Sequence, residues 1–224
     1  MNDIVIVITG DAPLDGRALA AIPAEAIVIA ADGALDHALE AGLRPAALVG
    51  DLDSVSAQGL EWARSNSTIE RHPADKDHTD TELALATAVD LNPERLILVS
   101  GGGDRLDHTL AAIGALGHPS LTSVPVVEAW WGRQQLTVVH GPGRAHLELP
   151  IGTTVSLLAL QGACGGVSVD GVRWPLVDAD LAPAVGLGVS NETTDDAVEV
   201  TVMSGVLTVF VNSHLDPHPR SEDP

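Results

Sequence analysis

Apolar residues follow two different rhythms along this chain. In the first half they form short, largely continuous runs at 4–8, 26–30, 46–49 and 95–99, each followed within two residues by Gly, Asp or Ser. Runs of this kind suit strands buried on both faces of a parallel sheet. A further strand is expected at 68–71. Helical spacing is expected at 14–21, 34–41 and 57–64, from Thr79 through Val89, and up to Ala115, with Gly42 closing the second helix. Strand and helix thus alternate five times, which predicts a parallel sheet with helices on both faces. Ligands are then expected outside the carboxyl ends of the strands.

From Val124 the helical spacing stops. Short strands are expected at 124–130, 134–140, 145–149, 154–160, 167–170, 197–203 and 206–212, separated by turn residues such as Gly141-Pro142-Gly143 and Gly165-Gly166. The expected fold is α/β: an N-terminal, Rossmann-like parallel-sheet domain over 1–123 followed by an all-β sandwich over 124–215. The proline-rich end, 216–224, is expected to be disordered.

Charge and composition narrow the partners. A formal net charge of -20 argues against nucleic acid and anionic membranes, which need a basic face. The run at 4–8 is too short and β-branched for a signal or membrane span. With the single cysteine, Cys164, this leads us to expect a cytoplasmic protein. Aromatic residues are four Trp and one Phe, so the core must be aliphatic and each Trp is a separate question.

The acidic residues are concentrated after predicted strands. Asp75, Asp77, Asp80 and Glu82 surround Lys76 where a helix begins. Thr79 and Glu82 fit a capping box, but capping leaves three Asp residues crowded, and a hard cation among them removes the cost. Asp51 and Asp53 form a second acidic focus, their side chains pointing the same way only if the loop is extended. The run 101–103 lets backbone N–H groups approach an anion, and the Arg105 fork could pair with a phosphate. Asp107 sits in the first turn of the next helix, and His108 is expected to face packing. Metal-binding acids beside phosphate-binding glycines suggest transfer of a phosphorus group from a nucleotide.

ADGA (31–34), GDLDS (50–54), DKDHTDTE (75–82), GGGDRLDH (101–108), GVRWPL (171–176) and VSNE (189–192) together resemble thiamine pyrophosphokinase, in order and spacing along 4–211. The resemblance implies that 1–123 is a catalytic, ATP- and Mg²⁺-binding domain and that 124–215 binds thiamine and forms a homodimer. The implied reaction moves diphosphate from ATP to the thiamine hydroxyl and releases AMP. By motif, Asp51, Asp53 and Asp80 would hold Mg²⁺, with Asp53 or Asp80 as proton acceptor and Asp107 orienting substrate and ion. Asp32, Gly33, Lys76, Thr79, Gly102, Gly103 and Arg105 would handle the nucleotide. Trp174 would cover thiamine from the partner subunit beside Ser190 and Asn191; an indole face suits a thiazolium cation.

Two departures from the family pattern stand out. Ala111 and Ala112 stand where many members carry Asn, and the glycine loop reads GGGDR where GGRxDH-like spacing is commoner. Two rival readings are diphosphate transfer to another heterocyclic alcohol, such as a pterin, and a non-catalytic MgATP sensor.

Overall fold

The computed structural model describes residues 3–103 and 105–212. It divides into two compact units, Met1–Val138 and Val139–Pro224.

The first unit is built on β1 (Ile4–Thr9), β2 (Ile27–Ala31), β3 (Ala47–Gly50), β4 (Thr68–Arg71), β5 (Arg95–Ser100), β6 (Val126–Trp131) and β7 (Gln134–His140). Six strands run parallel in the order β6-β5-β1-β2-β3-β4, and β7 pairs antiparallel with β6. Val5 to Ile8 and Leu96 to Val99 are fully buried, as their unbroken apolar runs require. Helices α1 (Gly16–Ala20), α2 (Ala34–Glu40), α3 (Ala57–Asn66), α4 (Asp80–Asp90) and α5 (Leu106–Ala115) connect the strands. One aliphatic cluster joins Ile6, Ile8, Ile97 and Val99 to Ala34 and Ala38 of α2. Another joins Leu48 and Ala30 to Leu35 and Ala63.

The chain winds outward from β1 to β4, then returns to place β5 on the other side of β1. That reversal puts a topological switch point between β1 and β5, where side connections leave a crevice at the carboxyl edge. Ser100 and Thr9 are paired there.

The second unit contains two antiparallel sheets. One has the order β11-β10-β13-β8, formed by β8 (Gly143–Glu148), β10 (Cys164–Asp170), β11 (Leu176–Leu181) and β13 (Ala197–Val202). The other set is β12-β9-β14, from β9 (Thr154–Leu158), β12 (Asn191–Glu192) and β14 (Val206–Asn212). Val155, Leu157, Val209 and Val211 of one share a core with Val167, Val169, Val198 and Val200 of the other, so the unit is a sandwich.

Two features differ from expectation. The units divide at Val138/Val139, later than the 123/124 change of rhythm, because β6 lies parallel to β5 across the α5 crossover and belongs to the first sheet. A strand's own pattern does not name its partner. Strands β11 and β12 were also not expected: β11 is an edge strand whose Val177 and Asp178 are both exposed, and β12 has two residues. The stretch 216–224 lies outside the described residues.

Candidate active site

Six loops at the carboxyl edge of the parallel sheet enclose a cavity of about 440 Å³. Its wall includes Thr9 and Gly10 after β1, Asp32 and Gly33 after β2, and Asp51, Asp53 and Ser54 after β3. Thr79, Asp80 and Thr81 at the start of α4, Gly102, Gly103 and Arg105 after β5, and Trp131 at the end of β6 also line it. The convergence follows from strand direction: in a parallel sheet every strand delivers its following loop to one edge.

Asp32, Asp51 and Asp80 each present a carboxylate oxygen within 4.8 Å of the others. Gly50 makes this approach possible. A Cβ there would stand 3.0 Å from Asp32 Cβ and 3.0 Å from Asp80 Oδ1, at a φ of +150° that side chains rarely adopt. Asp32 itself has a φ of 46°, and its backbone N–H donates to Val49 O at 2.8 Å, pinning the end of β2 to β3.

This set departs from the expected Asp51, Asp53 and Asp80. Leu52 adopts a φ of 70°, so the loop is not extended there, and Asp53 lines the same cavity without joining the three carboxylates that meet. Asp53 is exposed on the cavity wall, its Oδ1 accepting from Ser54 Oγ at 2.9 Å while its N–H donates to Asp51 Oδ1 at 3.2 Å. Asp32, assigned by motif to the nucleotide, takes the third place in the cluster. Asp75 and Asp77 are exposed and outside it, whereas Lys76 turns inward. Its Nζ lies 3.2 Å from Asp51 Oδ2 and 3.0 Å from Asp80 Oδ1.

The electrostatics follow from these contacts. Burial pushes Asp32 above the usual carboxylate range, the Gly33 N–H opposes this, and the charges of Asp80 and Asp51 add to the rise. The Asp53 N–H, then Lys76, hold Asp51 below it. For Lys76 burial works against the charge, but the bonds to Asp80 and Asp51 outweigh it and leave its pKa raised. Asp32 Oδ1 is buried without a hydrogen-bond partner, and Asp80 Oδ1 meets Lys76 only as an ion pair, not as an aligned hydrogen bond. A hard divalent cation, which takes carboxylate oxygens, fits this donor set.

The α4 N-terminus forms as its sequence requires. Thr79 Oγ1 accepts from the Glu82 N–H at 3.2 Å, and Glu82 Oε2 accepts from the Thr79 N–H at 2.7 Å. Thr79 therefore faces the cavity with its hydroxyl engaged in the cap. Thr9 and Thr81 hydroxyls share a hydrogen bond of 2.6 Å, tying β1 to α4.

In the glycine loop the Gly102 N–H donates to Ser100 Oγ at 3.1 Å, and Gly102 and Gly103 have φ of 93° and 151°. Gly101 has no room for a side chain, since a Cβ would lie 2.2 Å from Pro13 O. Arg105 grips Asp107 with both arms of its fork, Nε to Oδ1 at 3.2 Å and Nη2 to Oδ2 at 2.6 Å. The grip holds the Asp107 carboxyl down at about 2. Arg105 lines the cavity, and Asp107 is exposed beside it without being part of the wall. His108, expected to face packing, is exposed and lines the cavity instead. Trp131, the last residue of β6, lines the cavity, and its place at a strand end in an aromatic-poor chain is the signal for it in the sequence. Trp130 packs against the core and Trp62 against the α3 cluster.

Residues 20–127 match the family model described as the thiamin pyrophosphokinase catalytic domain, and residues 144–207 match that of its vitamin B1 binding domain. The chain belongs to the thiamin pyrophosphokinase family.

The thiamine pyrophosphokinase of Bacillus subtilis strain 168 is 24% identical over 174 residues, 77% of this chain and 80% of that protein. A crystal structure of thiamine pyrophosphokinase from Bacillus subtilis has a TM-score of 0.78 at 22% identity, over 92% of this chain and 97% of that one. That from Geobacillus thermodenitrificans gives 0.77 at 25%, over 95% and 98%. Thiamin pyrophosphokinase from Candida albicans gives 0.72 at 14%, over 94% and 88%.

Within the matched vitamin B1 binding domain, Trp174 sits in the turn between β10 and β11, 56% exposed. Arg173 Cζ lies over its ring at 5.0 Å from the centroid. Asn191 is buried and clamps the backbone of Trp174. Its Oδ1 accepts from the Trp174 N–H at 3.1 Å and from the Glu192 N–H at 2.9 Å, and its Nδ2 donates to Trp174 O at 2.7 Å. The amide thus positions the tryptophan. Ser190, at a φ of 59°, donates its N–H to Ser156 Oγ at 3.0 Å.

Proposed function

We propose that this chain transfers diphosphate from MgATP to the hydroxyl of thiamine, giving thiamine diphosphate and AMP, with the cavity at the sheet edge as the nucleotide and metal site. Membership of the thiamin pyrophosphokinase family gives the reaction and ATP as donor. The observation that carries the site is the meeting of Asp32, Asp51 and Asp80 beside the glycine loop. These three would hold Mg²⁺, and the ion would neutralise charge gathering on the phosphate oxygens.

The residues around them divide the remaining work. Gly103 and Arg105 line the wall where phosphates would lie, and Arg105 reaches them by loosening its grip on exposed Asp107, a pair of little worth in water. Asp80 is held by Lys76, whereas Asp53 on the open wall carries a hydroxyl partner; Asp53 is the better placed proton acceptor for the thiamine alcohol. Trp174 offers an exposed aromatic face to a cationic ring, with Asn191 fixing its backbone. The vitamin B1 binding match over 144–207 favours thiamine over a pterin. A homodimer and a cytoplasmic location belong to the same proposal. The free, buried Cys164 suits a reducing compartment, and among the described residues no helix is long and apolar enough to cross a membrane.

AMP release is the assay, run with and without thiamine. Thiamine-dependent AMP is expected from the wild type, with a loss of about a hundredfold or more in Asp80→Asn. Calorimetric binding of MgATP with no AMP on adding thiamine would leave a sensor, and wild-type rates in Asp80→Asn would remove the metal site.

A further inference from the structure

Lys76 lies within a run of acids whose neighbours face solvent. Asp75 and Asp77 are exposed, and between them the Lys76 side chain is only 13% exposed. Burying an ammonium costs both solvation and rotamer freedom, so its position requires strong partners. They are Asp51 Oδ2 at 3.2 Å and Asp80 Oδ1 at 3.0 Å, two of the three clustered carboxylates. The third, Asp32, keeps a buried oxygen with no hydrogen-bond partner. One ammonium therefore pairs with two of three acids and, with all three ionised, leaves the cluster two charges short of neutrality. Its charge holds two carboxylates that would otherwise repel each other across less than 4.8 Å.

We infer that Lys76 is the resident counter-ion of the cluster: it keeps Asp51 and Asp80 in place when no divalent ion is bound and competes with that ion for them. This rests on the metal reading given above. The ammonium and a divalent ion draw on the same carboxylates, and each lowers the other's affinity by its positive charge. Released from the acids, Lys76 is a cation beside the nucleotide cavity. The metal-free site thereby stays assembled, at the expense of metal affinity.

The test uses the full chain and Mn²⁺ alone, without nucleotide. Mn²⁺ shares the preference of Mg²⁺ for oxygen ligands, and its free concentration is read directly from its electron paramagnetic resonance signal. In chelator-treated buffer Lys76→Met is expected to melt below the wild type. Saturating Mn²⁺ should raise its melting temperature more than that of the wild type, and the Mn²⁺ dissociation constant should fall by about tenfold. Lys76→Arg, which keeps the charge, should bind Mn²⁺ within about threefold of the wild type.

A Lys76→Met chain that folds only with Mn²⁺ would support the inference even more directly. Equal or weaker Mn²⁺ binding in Lys76→Met than in the wild type would overturn it, as would failure to fold with the ion present; either outcome makes Lys76 a structural or nucleotide-binding residue only. If neither the wild type nor Lys76→Met binds Mn²⁺, the metal reading itself fails and takes this inference with it.

Discussion

Replacing Asp32 with Asn removes one negative charge from the carboxylate cluster and keeps the side chain's size. In the wild type Asp32 faces Asp51 and Asp80 across less than 4.8 Å, and Lys76 offsets one of those two charges. One uncompensated charge at that separation costs about 3–4 kcal/mol at an effective dielectric of 20, and about 1–2 kcal/mol when solvent in the open cavity raises it toward 40 or more. The lower figure suits a cavity open to water. An Asn amide also donates where the carboxylate could only repel, and it supplies a donor toward its acidic neighbours. Asp32→Asn is therefore expected to stabilise the metal-free protein by about 1–2 kcal/mol, a rise of roughly 2–8 °C in melting temperature.

The pH dependence checks that it is the ionised form of Asp32, disfavoured by burial and then by its acidic neighbours, that costs stability. The folded-state pKa of Asp32 is raised, so the stability it contributes is complete below the ordinary carboxylate range and is lost as pH rises through the folded value. The variant lacks this loss. Its advantage should be small at about pH 4 and grow toward neutrality, in thermal melts with chelator present. Magnesium should reverse the order, stabilising the wild type more, and AMP release by the variant should be lost. A variant that is less stable than the wild type in chelator at pH 7 would refute the repulsion on which this reasoning stands.

Three further outcomes are expected. Gly50→Ala, whose Cβ would meet Asp32 and Asp80 at 3.0 Å, should cost about 1–3 kcal/mol in denaturant unfolding and lose thiamine-dependent AMP release. Thr79→Ala breaks the capping box of α4 and should cost about 0.5–2 kcal/mol, measured in the same way. Asn191→Ala leaves the backbone groups of Trp174 without their partner, so the KM for thiamine should rise several-fold while MgATP binding, followed by calorimetry, stays within about twofold.

The strands of the first unit were legible because continuous Ile and Val runs suit only a sheet covered on both faces, and the runs at 4–8 and 95–99 are its central strands. The capping box was legible because it is made within four residues, Thr79 to Glu82. Motif order also carried the family, since it is written along the chain. What sequence could not decide depends on residues far apart. Asp32 joins Asp51 and Asp80 because β2 lies beside β3 and Gly50 leaves room, whereas Asp53 lines the cavity outside that trio. Lys76, given by motif to the nucleotide, meets Asp51 and Asp80 only because the fold brings the loop after β3 beside the start of α4. That the Asn191 amide binds the backbone of Trp174, seventeen positions away, is seen only in the fold. The assignment of β6 to the first sheet was settled by its pairing with β5. Local pattern marked the helices, the α4 cap and every strand but β11 and β12, because those forces act between neighbours; which carboxylates meet is set by strand order and by the φ of one or two turn residues, which no pattern of hydrophobicity records.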